Sequence, residues 1–266
     1  MKLSEIYKIA DSIAPKALSD EYCARYGAYD NSGILVDTGE EIEKILFALD
    51  LTDAVIQETL RVGAKLIVTH HPAIYSKISC ICVEDSLGEK LTNCIKNGIS
   101  VLSMHLNLDC AVDGIDESLM KAVKQSTNTE RVEALAVMHP LSDGGYGRVY
   151  EVQSTVAGTL ATELQKQLST KKTVVYNDKK SIQRIASFCG SGCDEEGIAF
   201  ALEHGADAVI SSDFKHHIIL SALEKGLSVI ALTHYASENY GFKKYYEKIS
   251  RLVKIPCSFY EDERLL

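Results

Sequence analysis

Three stretches of the 266-residue chain end apolar runs with side chains that ligate metal ions: Val68-Thr69-His70-His71-Pro72, Met104-His105-Leu106-Asn107-Leu108-Asp109 and Thr233-His234-Tyr235-Ala236-Ser237-Glu238. Imidazole nitrogens mixed with carboxylate oxygens suit Zn, Mn, Fe or Co, and the sequence does not choose among them. Adjacent side chains on extended backbone diverge, so His70 and His71 would each serve a different ion instead of gripping one together. Two-metal sites hold their ions roughly 3.5–4 Å apart, with a carboxylate as the natural bridge. Asp109 suits that bridge, four residues after His105 and beyond the end of its apolar run. Four residues of extended backbone span roughly 13 Å, so the chain must bend near Asn107 to join the pair. His234 and Glu238 are also four apart, and they share one face if a helix begins near His234.

Each piece alone has a plainer explanation. A His-His pair can be two ordinary hydrogen-bonded residues. Asp109 can open the turn before Gly114, and Glu238 can be a solvated first-turn carboxylate favoured by the helix dipole. Their shared position after apolar runs is harder to explain that way. Gly190-Ser191-Gly192 could hold phosphate on backbone amides, but it lacks a full phosphate-loop signature and Asp194 and Glu195 follow it. A strand-to-helix turn is the favoured reading there.

Those residues need strands to end together. Ile42 to Leu49 reads as a strand, Thr52 to Val62 as a helix capped by Thr52, and Lys65 to Thr69 as a second buried strand, which makes a βαβ unit with parallel strands. A helix from about Asp85 to Lys96, closed by Gly98, leads into a strand over Ile99 to Met104. Further on, strands are expected near Arg148 to Val152, Thr173 to Tyr176, Ile182 to Cys189, Ala208 to Ser211 and Ser228 to Leu232. Helices are expected near Leu160 to Leu168, Glu195 to His204, Ile218 to Lys225 and Glu238 to Leu252, and an amphipathic helix opens the chain. The fold class is therefore α/β, with mostly parallel sheets flanked by helices. A change of pattern near Asn128 sets the expected division: residues 1–127 with 228–266 as one α/β domain carrying most of the metal ligands, and 128–227 as a second. Gly63 to Thr69 is similar to Gly205 to Ser211, and each is followed by a strand that runs into a histidine. Ordinary helix-Gly-strand junctions explain this more simply than duplication does.

Composition narrows the class. Hydrophobic residues at 46% and charged residues at 24% fit a globular chain. The net charge of −9 argues against a broad nucleic-acid surface. No apolar run approaches the roughly 20 residues needed to span a bilayer. Eight cysteines without a CxxC pair, in a chain whose N-terminus does not read as a signal peptide, point to reduced thiols and a cytoplasmic location.

Five segments taken together, Tyr29-Asp30-Asn31-Ser32-Gly33-Ile34-Leu35-Val36, Leu66 to Pro72, His105 to Asp109, Ser212-Asp213-Phe214-Lys215-His216-His217 and His234 to Glu238, resemble the dinuclear-metal GTP cyclohydrolase 1 type 2 homologues, also called the NIF-three-like family. The resemblance spans nearly the whole chain in order. It implies a metal shell of His70, His71, His105, Asp109, His234 and Glu238 around two divalent ions, with Asp109 and Glu238 touching both. It also implies a toroidal homo-hexamer, without the inserted middle domain of longer members. Tyr29 stands where the family often has Trp, and Asp37 where Gly is common. Asp213, Lys215 and His217 match a segment that lines the family's pocket. A lysine with a histidine could neutralise phosphate or shuttle a proton, so Lys215 and His217 are the catalytic candidates, although a polar helix start explains them equally well. The implied function is hydrolysis of GTP or a related nucleotide or heterocycle by water that the ions activate. The competing expectation is a metal-handling protein that acts through partners without turnover.

Overall fold

The computed structural model describes residues 1–131 and 133–266. In chain order the elements are α1 (Leu3–Ile13), α2 (Lys16–Tyr26), β1 (Gly33–Val36), β2 (Ile45–Ala48), α3 (Asp53–Val62), β3 (Leu66–Thr69), α4 (Ser86–Lys96), β4 (Ser100–Ser103), α5 (Leu106–Cys110) and α6 (Ile115–Ser126). There follow β5 (Ala134–Pro140), β6 (Gly145–Val156), α7 (Ala157–Gln167), β7 (Val174–Tyr176), β8 (Ser181–Ser187), α8 (Glu195–Glu203), β9 (Ala208–Ser212), α9 (His216–Glu224), β10 (Ser228–Leu232), α10 (His234–Leu252) and β11 (Cys257–Phe259). The α/β reading holds, with two sheets and helices around them.

The first compact unit comprises Met1–Ala111 and Phe242–Glu261. Its sheet has the order β1-β4-β3-β2-β11 and is parallel except for β1. All four residues of β2, β3 and β4 are buried, as expected of strands covered on both faces. Leu46, Ile67 and Val101, one from each strand, share a core with Val55 and Ile56 of α3 and Cys94 of α4. Burying each such aliphatic side chain contributes about 1.5–3 kcal/mol. Thr52 caps α3 by accepting from Val55 N at 3.2 Å, and Gly63 ends it with φ of +71°, a conformation that suits glycine. Register then decides where chemistry can gather. Ala48, Thr69 and Ser103 lie level across β2, β3 and β4, and Gly33, which opens the antiparallel β1, pairs with Ser103. The residues just beyond these positions, at 30–32, 50, 70–71 and 105, therefore share one edge of the sheet.

The second unit comprises Val112–Gly241 and Asp262–Leu266. Its sheet has the order β5-β6-β8-β9-β10-β7. Here β8, β9 and β10 run parallel, while β5, β6 and β7 add antiparallel pairings, so this sheet is mixed. The Asp116 carboxylate, fully buried, accepts hydrogen bonds from Gly147 N at 3.0 Å and Cys189 N at 3.1 Å and pairs with the Arg148 guanidinium. One side chain thereby ties α6 to β6 and to the end of β8.

The divisions fall elsewhere than at 127 and 228. α6 packs with α7 and β6, and so joins the second unit. β10 joins it too, because its backbone pairs in parallel register with β9 from Ser228 to Leu232. The apolar pattern that marked Ser228–Leu232 as a buried strand carried no information about which sheet would receive it. Among the described residues, no helix is long and apolar enough to cross a membrane.

Candidate metal centre

In the first unit, His70 and His71 follow β3 and His105 follows β4. One ligand nitrogen of each of the three lies within 4.8 Å of the others, and the ring centroids of His70 are 4.8 Å from His71 and 5.1 Å from His105. The bend expected near Asn107 is there, as the short helix α5 over Leu106–Cys110. The chain turns helical straight after His105, Asp109 N donates to His105 O at 2.9 Å, and α5 places the carboxylate back at the sheet edge. Asn107, buried, anchors that turn by donating to Ala14 O at 2.7 Å. Asp109 Oδ1 comes to rest 3.5 Å from His70 Nε2, with both side chains almost wholly buried.

What lies behind each ring fixes its chemistry. His70 Nδ1 is 2.7 Å from Met104 O, His71 Nδ1 is 2.7 Å from Asp50 Oδ1, and His105 Nδ1 is 2.8 Å from Asp30 Oδ1. A carbonyl or carboxylate oxygen only accepts, so Nδ1 must carry the hydrogen in all three. The lone pair of the neutral ring then sits on Nε2. This is the arrangement of metal-ligating histidines, whose second nitrogen donates to a carboxylate or carbonyl. Asp30 is itself held by the Ser19 and Ser32 hydroxyls, each at 2.6 Å. Burial pushes the Asp30 carboxyl up, but the hydrogen bonds from His105, Ser19 and Ser32 outweigh it and keep the carboxyl well below the usual range. Burial pulls His105 down, and its hydrogen bond to Asp30 with the nearby charges of Asp109 and Asp30 more than reverses that, so the imidazole titrates above its ordinary value.

In the second unit, α10 begins at His234, so His234 and Glu238 occupy one helix face. His234 Nε2 lies 3.0 Å from Glu238 Oε1, and its Nδ1 lies 2.5 Å from Asp213 Oδ2. Both ring nitrogens of His234 therefore face carboxylate oxygens, so the acceptor rule that fixes the tautomer of the other three rings does not fix this one. Asp213 follows β9 and adopts φ of +51°, in the left-handed region where aspartate is better tolerated than most residues. Gly190, with φ of +57°, passes so close that a Cβ there would collide with Glu238 Oε1 and come within 3.4 Å of the His234 ring. Its N–H donates to Ser237 Oγ at 3.0 Å, and its carbonyl accepts from Ser211 and Ser212. Gly190 thus serves Glu238 by its lack of a side chain.

Of the expected residues, His70, His71, His105 and Asp109 gather in one unit and His234 and Glu238 in the other. Lys215 and His217 are exposed at the start of α9, and neither belongs to a metal-type donor group among the described residues. Asp30 and Asp50 had no role assigned to them from sequence. Asp50 could have been found by the rule that found the histidines, since it too follows a buried strand. Asp30 precedes an antiparallel strand, so only the pairing of β1 with β4 reveals it. The donor set fits divalent transition ions: imidazole nitrogens presented from fixed rings beside buried carboxylates.

The family model of Duf34/NIF3 (NGG1p interacting factor 3) matches residues 1–263. A GTP cyclohydrolase 1 type 2 homolog of Clostridium perfringens is 34% identical over 242 residues, covering 90% of this chain and 87% of the relative. Another, from Methanocaldococcus jannaschii, is 31% identical over 254 residues, covering 94% and 95%. Reduced HcgD from Methanocaldococcus jannaschii is similar with a TM-score of 0.79 at 28% identity, covering 98% of each chain. The Bacillus cereus protein related to NIF3 gives a TM-score of 0.79 at 18% identity, covering 98% of this chain and 96% of the other, a likeness of fold alone. A match over nearly the full chain, joined to relatives above 30% identity, establishes that the chain belongs to the Duf34/NIF3 family.

Proposed function

We propose that the chain is a dinuclear metal-dependent hydrolase acting on GTP or a related nucleotide or heterocycle, with His70, His71, His105, Asp109, His234 and Glu238 holding two divalent ions. The observation that carries this reading is the common state of His70, His71 and His105: each Nδ1 faces an acceptor oxygen, which leaves each Nε2 as a ligand. When bound, divalent ions supply Lewis acidity toward water and toward a carbonyl or phosphoryl oxygen. The protein's own part is to orient the rings through Asp30, Asp50, Asp213 and the Met104 carbonyl. In this reading Lys215 meets an anionic group and His217 moves a proton. The nucleotide comes from the names of the relatives, and the homo-hexameric state from the family resemblance alone, which light scattering tests.

The test of turnover uses protein loaded in turn with Zn, Mn, Fe(II) and Co, incubated with GTP, and followed by mass spectrometry of products. The hydrolase reading expects product from wild type and a loss of at least about a hundredfold in His71→Ala, since removing a metal ligand removes the group that makes water a nucleophile. Ion retention with no product under any of the four metals would leave metal holding as the function.

A further inference from the structure

A cleft of about 530 Å³ opens beside His71, between the loop that follows β3 and the start of α4. Small-molecule sites typically enclose about 300–1,000 Å³, with mostly apolar walls and a few polar groups. This one has that make-up. Leu51, Ala73, Ile78 and Leu87 form apolar wall, and Tyr75 adds an aromatic face. That ring is 49% exposed yet held in place: its centroid lies 5.6 Å from Tyr29 at 90°, and its hydroxyl donates to Tyr29 O at 3.2 Å. The two lining carboxylates are already engaged. Asp50 accepts from His71 Nδ1, and Asp85 caps α4 by accepting from Gly88 N at 3.1 Å. Lys90 is different, a half-buried lysine on the wall of the cleft. Among the described residues it makes no ion pair.

We propose that this cleft is the substrate subsite and takes a planar heterocycle carrying an anionic arm, the ring against Tyr75 and the anion at Lys90. The proposal rests on the metal-dependent reading above, because His71 is common to the cleft and to the donor set. An aromatic ring held against a neighbour and about half exposed offers a surface for stacking, and each stacked base contributes about 1–3 kcal/mol in single-strand complexes. A lysine whose neighbouring carboxylates are already engaged gains a charge-assisted hydrogen bond from a ligand that brings it an anion. Tyr75 and Lys90 would then set specificity without entering the donor set.

The experiment is calorimetric titration of zinc-loaded protein with GMP and with guanosine, on wild type, Tyr75→Ala, Tyr75→Phe and Lys90→Ala, with zinc content measured on the same samples. The expected result is saturable GMP binding about tenfold tighter than guanosine binding, as one charge-assisted contact gives. Lys90→Ala removes that preference, Tyr75→Ala weakens both ligands about tenfold, Tyr75→Phe restores them, and zinc content stays at the wild-type level. Absence of GMP binding, or binding indifferent to both alanine variants while zinc is retained, overturns the cleft assignment and leaves the metal reading intact. Failure of wild type to hold zinc overturns the metal reading instead. Loss of zinc together with GMP in Lys90→Ala would show a structural role and count against the subsite.

Discussion

At the scale of single residues, the proposed metal centre depends on carboxylates outside its proposed ligand set. Asp30 holds His105 at 2.8 Å and Asp50 holds His71 at 2.7 Å. Replacing such a partner typically lowers metal affinity about 10–100-fold while leaving every ligand in place. Asp30→Asn should therefore weaken zinc binding by about that factor in a competition titration, with the far-ultraviolet spectrum unchanged. The pair also sets a pH signature in the metal-free protein. Asp30 is lowered from the ordinary 3.8, so its contribution to stability is present above 3.8 and disappears as pH falls through the folded-state value. His105 is raised from the ordinary 6.5, so its contribution is complete below 6.5 and fades as pH rises through the folded-state value. Urea denaturation of metal-free wild type and Asp30→Asn should differ most between 3.8 and 6.5, with the gap narrowing on either side. A gap that stays constant from acid to alkaline pH would contradict the pairing.

At the scale of elements, the functional side chains stand where buried strands stop. Gly190 shows how tightly a turn can be specified. Gly190→Ala places a side chain against Glu238 Oε1 in a left-handed conformation. That conformation alone costs about 1–2 kcal/mol for a non-glycine residue. The variant should melt at a lower temperature and bind zinc at least about tenfold more weakly, whereas Ser191→Ala, one residue along, should do neither. Much of this scale was readable in advance. The apolar runs at Leu66–Thr69 and Ser100–Ser103 are strands and Thr52 does cap α3, while the helix expected over Glu238 to Leu252 starts four residues earlier, at His234. β1 and β11 escaped notice because four and three residues carry too little periodicity to separate from a loop. The bend near Asn107 was legible but its helical form was not: five residues cannot show a helical repeat, and the turn is held by Asn107 reaching back to Ala14, a partner far away in sequence. In the second sheet, β5 and β6 form a hairpin, whereas the antiparallel pairings of β6 with β8 and of β7 with β10 join segments distant in sequence, which local pattern does not encode.

At the scale of the whole molecule, the two units repeat one construction. In each, a parallel strand pair joined by a helix, β3-α4-β4 or β9-α9-β10, ends in a histidine, a carboxylate follows four residues later on a helix, and an aspartate braces the ring. The likeness between Gly63–Thr69 and Gly205–Ser211 thus has a structural counterpart beyond the junction itself. The second unit adds the buried Asp116–Arg148 pair, and removing one partner of such a pair typically costs about 3–5 kcal/mol. Asp116→Ala should lose stability of that order against a total near 5–15 kcal/mol, with hydrogen-exchange protection falling across residues 112–241. The most direct measurement is equilibrium dialysis against zinc, with bound metal counted by mass spectrometry, on wild type and on a chain carrying His70→Ala, His71→Ala and His105→Ala. Wild type should retain about two ions per chain and the triple variant fewer than half as many, with both chains folded. Equal retention by the two folded chains, or none by either, would contradict the assignment of these imidazoles as metal ligands.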